Sequence, residues 1–170
     1  LFGISFLYGT TGTLTFSEMP QHLNGSNLQM LSFIFIFTGF AFKISAVPFH
    51  FWTADVYEGS PVAVTAFLSV ISKGAIVFVF VSVLYTVFQS MAASWYQVLI
   101  FTSALTMTVG NLFAIRQNNL KRFLAFSSIT QAGYILLGIS SGSIDGTASA
   151  VYFILIYIFS NLGAFSVVSL

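Results

Sequence analysis

Apolar runs of about twenty residues, almost free of charge and parted by short polar breaks, recur from one end of this chain to the other. That is the length a helix needs to cross roughly 30 Å of hydrocarbon. Only 5% of the 170 residues are charged, against about 25% in an average soluble domain. Such a chain cannot cover a water-facing surface. In lipid the backbone must bond to itself, as helices or as a closed barrel. Barrel strands would alternate apolar and polar residues over stretches of about ten, whereas these runs are continuous. The expected fold class is therefore all-α: a polytopic transmembrane helix bundle forming one membrane domain over residues 1–170.

Five full spans are expected, at about Leu28–Ala54, Val62–Phe88, Ala93–Ala114, Leu120–Ile139 and Ala148–Leu170. Leu1–Tyr8 reads as the tail of one more, and a Gly/Ser/Thr/Asn-rich connection with Glu18, Pro20 and His22 follows it. With Leu1-Phe2 at one end and apolar Val167-Val168-Ser169-Leu170 at the other, the sequence reads as an internal piece of a longer protein. There is no cysteine, so no disulfide and no thiolate metal or redox site is expected. No metal- or cofactor-binding residue stands out. A net charge of +1 without a basic run gives no reason to expect nucleic acid; membrane lipids are the expected surroundings.

Short connections make neighbouring helices antiparallel, so successive loops alternate sides. The loop cations Arg116, Lys121 and Arg122 then share one side with the Asp55–Pro61 turn. The positive-inside rule assigns that side to the cytoplasm or matrix. The 21 phenylalanines suggest a T-rich gene and hence the mitochondrial inner membrane, with a bacterial plasma membrane or thylakoid as the alternative.

Away from the loops the only charged residues are Lys43 and Lys73. Lys43 lies 11 residues before Ala54, and Lys73 lies 11 residues after Val62. On antiparallel helices, equal offsets from one surface give equal depth, roughly 16 Å, near the bilayer centre. A lysine there costs about 2.5–3.5 kcal/mol on the insertion scale, and mid-span snorkelling lacks the reach to relieve it. Desolvation penalises the charged form, and two such amines would titrate as a coupled pair. Groups poised in this way can take up and release a proton.

Pro48 falls within the same segment as Lys43. It removes a backbone bond to Ile44 and clashes with that turn, so two half-helices interrupted at about Ile44–Pro48 are expected. Discontinuous helices recur at ion sites in transporters. His50 follows the break, 7 residues after Lys43 and near the same face of a regular helix. With an unperturbed pKa near 6.5 it could pass protons between the mid-membrane and the inside surface. A histidine bonded to a backbone carbonyl near the interface is the plainer alternative. Asp55 and Glu58 form an inside-surface turn with Gly59 and Pro61, expected to cap the next helix or to pair with Arg116, Lys121 or Arg122. Trp52, Tyr57, Trp95 and Tyr96 sit near segment ends, where interfacial anchors are expected. Ser127, Ser128, Thr130 and Gln131 make one end of the fourth span polar, through packing bonds or a water path.

The stretches Phe42-Lys43-Ile44-Ser45-Ala46-Val47-Pro48-Phe49-His50-Phe51-Trp52 and Asp55-Val56-Tyr57-Glu58-Gly59-Ser60-Pro61 resemble the antiporter-like subunits of respiratory complex I, the proton-pumping NADH:quinone oxidoreductase. The second stretch looks like the subunit 2 branch. Similarity continues through Ala66–Lys73, Gly110-Asn111-Leu112, Leu120–Ile129, Gly133-Tyr134 and Asn161–Phe165. The resemblance implies a partial antiporter-like fold, with Lys43 as the broken-helix lysine, Lys73 as the central lysine of the next helix, and His50 beside them on a proton pathway. It further implies that this chain is a non-redox subunit. Flavin, iron–sulfur clusters and quinone would belong to partner subunits of the membrane and peripheral arms. A glutamate that partners the broken-helix lysine in that family has no counterpart here, so another chain or segment is expected to supply a carboxylate near Lys43. A subunit of a multisubunit sodium/proton antiporter and a non-pumping structural element of the arm are the competing readings.

Overall fold

The computed structural model describes residues 1–169, and among them every regular element is helical. In chain order these are α1 (Phe2–Thr11), α2 (Met19–His22), α3 (Asn27–Ile44), α4 (Phe51–Gly59), α5 (Val62–Phe67), a π-helical segment (Leu68–Ser72), α6 (Lys73–Thr86), a 3₁₀ turn (Gln89–Met91), α7 (Ala92–Ile115), α8 (Leu120–Ser140) and α9 (Ile144–Val168). Five stretches are long and apolar enough to cross a membrane: Asn27–Ile44, Val62–Thr86, Gln89–Ile115, Leu120–Ser140 and Ile144–Val168. The chain is an all-helical bundle of the membrane type.

Local chemistry sets the helix starts. Ser26 Oγ accepts the Gln29 amide, and Gln29 Oε1 in return accepts the Asn24, Gly25 and Ser26 amides. This capping box satisfies donors that the first turn of α3 would leave free. Asn119 caps α8 and Ser143 caps α9 in the simpler one-sided way.

The main core joins Phe33, Phe37 and Ile44 of α3 to Val77, Phe80 and Leu84 of α6, with Trp95, Leu99, Leu136 and Ile154 closing it. A smaller cluster joins Ala54 and Tyr57 of α4 to Ala125, Phe126 and Ile129 of α8. Helices α7 and α8 approach most closely, because Gly110 and Gly133 leave room for it. A Cβ on Gly133 would stand 2.6 Å from Met107 Cγ and 3.1 Å from the Ser103 carbonyl. Ser103 Oγ uses this closeness to bond the Gly133 carbonyl at 2.8 Å. Small residues at the contact and hydroxyl bonds across it are what hold helices together where lipid gives no hydrophobic drive.

The expected interruption is present: α3 stops at Ile44, and α4 begins at Phe51. Ser45 takes a left-handed conformation at φ 67°, which a side chain adopts only when its surroundings hold it there. Its Oγ accepts the Thr53 hydroxyl at 2.6 Å, tying the two half-helices together. The freed backbone groups find partners: Val47 N–H donates to Thr106 Oγ1 at 3.0 Å, and Trp52 Nε1 donates to the Phe42 carbonyl at 2.9 Å. Ser45, Ala46 and Val47 are buried, as non-helical backbone at membrane depth must be.

The interfacial-anchor expectation is corrected at two positions. Tyr57 is 0% and Trp95 1% exposed, so both are core residues. Trp95 Nε1 donates to the Phe88 carbonyl, and its ring packs on Tyr85 and Tyr96. Trp52, half-buried, donates across the helix break. Closeness to a segment end gives depth, not direction, and these rings turn inward.

Candidate functional site

Lys73 opens α6 directly after the π segment, which inserts an extra residue into a turn and so re-aims the side chains beyond it. Lys73 is 4% exposed. Its Nζ donates to the Ser128 carbonyl at 3.1 Å and to Ser128 Oγ at 2.7 Å, across to the middle of α8. Tyr157 of α9 donates its hydroxyl to the same Ser128 Oγ at 2.8 Å. The Tyr57 hydroxyl sits beside Ser128 and Tyr157 without a hydrogen-bond partner. The amine is therefore held by neutral oxygens alone. Among the described residues the ion pairs are those of Arg122, and no carboxylate pairs with Lys73. A lysine enclosed in this way can shuttle a proton without breaking a salt bridge.

Lys43 is placed differently. It lies in the last turn of α3, is exposed, and lines an outward-facing cavity of about 420 Å³ with Ile4 of α1, Gly39 and Phe40 of α3 and Ile76 of α6. The chain does not enclose it. His50 is 5% exposed and does not line the cavity of Lys43. The left-handed Ser45 rotates the chain between them, so regular-helix spacing no longer applies. His50 Nδ1 has no hydrogen-bond partner, and the residue lines a cavity of about 390 Å³ with Asp55, Gln117 and Arg122.

That cavity reaches the surface turn. Arg122 Nη1 pairs with Asp55 Oδ1 and Glu58 Oε2, each at 2.7 Å. Lys121 Nζ donates to the Glu58 and Ser60 carbonyls, and Asn119 Nδ2 donates to Glu58 Oε1. Of the two roles expected for Asp55 and Glu58, pairing with Arg122 is the one observed. Capping is not, since the residue before α5 is Pro61 and no side chain caps that helix. The basic start of α8 lies against the acidic end of α4, on one side of the bundle. On the opposite side Tyr85 meets Thr147.

Sequence reasoning did not single out Tyr157 or Thr106, and it left Ser128 undecided between packing and a water path. A tyrosine in an apolar run carries no signal until a neighbouring helix is known. Nor does hydropathy mark the π segment.

Over residues 1–170 the chain matches the family described as "NADH:quinone oxidoreductase/Mrp antiporter, TM". The chain belongs to this family. NADH-quinone oxidoreductase subunit N of Phocaeicola vulgatus is 54% identical over 169 residues, which are 99% of this chain and 36% of the relative. NAD(P)H-quinone oxidoreductase subunit 2 of a Synechocystis strain is 46% identical over 177 residues, 100% of this chain and 34% of the relative. The chain thus spans about a third of the length of the relatives it matches. Among solved structures, a chain of respiratory complex I from Thermus thermophilus is 34% identical with TM-score 0.78, covering 99% of this chain and 36% of that one. A chain of the Mrp complex from Dietzia shares the fold at TM-score 0.87 and 23% identity, over 96% of this chain and 30% of that one. The family's membrane-helix character agrees with the helices described above.

Proposed function

We propose that this chain forms a proton-conducting part of the membrane arm of an NADH:quinone oxidoreductase, within a subunit of the subunit 2 (N) type. The observation that carries the reading is Lys73: an amine 4% exposed at mid-span, held by a carbonyl and a hydroxyl instead of an acid. A purely structural helix gains nothing from such a group, whose insertion costs about 2.5–3.5 kcal/mol. His50, whose cavity is shared with Asp55 and Arg122, supports the reading as a carrier of protons near the side assigned to the cytoplasm or matrix.

Lys43 belongs to the same pathway and meets a carboxylate supplied by another chain or segment. Flavin, iron–sulfur clusters and quinone sit in partner subunits; a chain without cysteine offers no thiolates for a cluster. The chain then takes part in NADH oxidation as a non-redox subunit. The named relatives are bacterial and cyanobacterial, which favours a bacterial plasma membrane over the mitochondrial one suggested by phenylalanine bias. A sodium/proton antiporter subunit is the second reading. The likeness to the Mrp chain supports it in fold, but identity is 23% there against 54% and 46% to the oxidoreductase subunits.

The test is Lys73→Ala in the full-length subunit, within the assembled complex in membrane vesicles. NADH-driven proton transport should fall about a hundredfold or more, as expected on losing a positioned acid–base group, with assembly retained. Wild-type proton transport in a fully assembled variant would sink the reading.

A further inference from the structure

Ser128 is approached from two sides at once. Lys73 Nζ donates to its hydroxyl oxygen at 2.7 Å, and Tyr157 donates at 2.8 Å. A serine oxygen has two lone pairs. Both are engaged, and its own hydrogen points elsewhere. All three groups are enclosed: Lys73 is 4%, Ser128 1% and Tyr157 7% exposed.

Tyr157 is also one wall of a cleft of about 260 Å³ between α8 and α9, lined in addition by the polar side chains of Ser127, Gln131, Ser160 and Asn161. Gln131 lies 11 residues into α8, roughly 16 Å from its start. At that depth polar side chains face protein or water, not lipid. Tyr157 is the side chain that stands between this polar cleft and the enclosed lysine.

We infer that Ser128 and Tyr157 are relay residues carrying protons between Lys73 and the α8–α9 cleft; this rests on the proton-conducting reading above. In the outward step the Lys73 ammonium gives a proton to Ser128 Oγ. The hydroxyl proton of Ser128 passes to the Tyr157 oxygen, and that of Tyr157 passes to water in the cleft. One N–H and two O–H bonds break, and three O–H bonds form. The products are a neutral amine, two intact hydroxyls and a hydronium ion. The inward step reverses each transfer. At present Lys73 and Tyr157 both donate to Ser128 Oγ, so the outward step first needs the Ser128 hydroxyl turned toward Tyr157 and the Tyr157 hydroxyl turned toward the cleft. Changing direction turns two hydroxyl hydrogens and moves no heavy atom.

Tyr157→Phe keeps the ring and removes the oxygen. Tyr152→Phe makes the same change on an exposed face of the same helix and serves as the control. In proteoliposomes carrying the complete complex, Tyr157→Phe should lower NADH-driven proton transport about tenfold, below the roughly hundredfold low end for a positioned acid–base group because water can partly replace it. Its solvent deuterium isotope effect should rise, while Tyr152→Phe behaves as wild type. Wild-type transport in Tyr157→Phe, or slowed transport with an unchanged isotope effect, would reduce Tyr157 to a packing residue and overturn the assignment. If Tyr157→Phe does not assemble, Ser128→Ala decides by the same two measurements. Lys73→Ala runs alongside. Unimpaired transport in that variant condemns the proton-conducting reading itself, whereas loss there without loss in Tyr157→Phe condemns only the relay.

Discussion

Lys43 and Lys73 were placed at the same depth by counting residues, yet their surroundings differ in kind. Lys73 is enclosed by this chain, with Ser128 and Tyr157 reached through hydrogen bonds. Lys43 projects from the bundle into an open cavity and finds no partner among the described residues. The closed site is built from α6, α8 and α9, all within these residues. The open site is lined by α1, α3 and α6. A residue count measures position along the membrane normal. It carries no information on what stands around the helix axis, and there the two lysines part.

Charge reversal should separate them most sharply. Lys73→Glu sets a carboxylate against the Ser128 carbonyl in an enclosed space, and an uncompensated buried charge costs about 3–5 kcal/mol. The expected outcome is loss of the assembled complex, read by native gel electrophoresis. Normal assembly would mean the site is wetter than its enclosure implies. Lys43→Glu should assemble but lose proton transport, because the acid proposed to approach Lys43 would then face a like charge. Replacing that acid by lysine in the same variant should restore part of the transport. If no acidic position in the rest of the complex restores it, the open site is not completed by a carboxylate.

The helix break between the two lysines gives a smaller effect. Thr106→Val deletes the acceptor of the Val47 amide, and a buried donor left unpaired costs about 1–3 kcal/mol. The thermal unfolding midpoint of the detergent-solubilised subunit should fall by several degrees; no change would mean the break holds itself. Arg122→Gln should matter least, since the pair it breaks is at the surface. Its effect on transport should shrink as salt is added, and a salt-independent loss would point to a role deeper than the surface turn.

Much of the architecture was legible because lipid is an exacting solvent. Apolar runs of the right length, and a proline four residues beyond the end of α3, fixed the number of spans and the site of the break to within a few residues. The paired acids were legible too, since opposite charges at one membrane face have few other partners. The candidate site was legible only in its lysines. Ser128 and Tyr157 became visible once α6, α8 and α9 were known to face one another. The seven-residue spacing of Lys43 and His50 means one face only on a regular helix, and left-handed Ser45 lies between them. The rings of Tyr57 and Trp95 went inward because packing between helices, not depth, decides which way an aromatic points.

The π segment at Leu68–Ser72 has a consequence for anyone drawing this helix as a wheel. An extra residue in one turn is a phase error of about 100°, the angle of one residue in a 3.6-residue turn. Side chains from Val62 to Phe67 and those from Lys73 onward therefore keep two different clocks, although they belong to one continuous rod. A wheel phased on the first half misdirects the lysine. The molecule would misdirect it in the same way if all five residues were wound into ordinary α-helix, turning the amine by about 100° off Ser128; deleting one residue from that stretch should instead give a plain helix that keeps the lysine at nearly its present angle, without altering a single residue of the site.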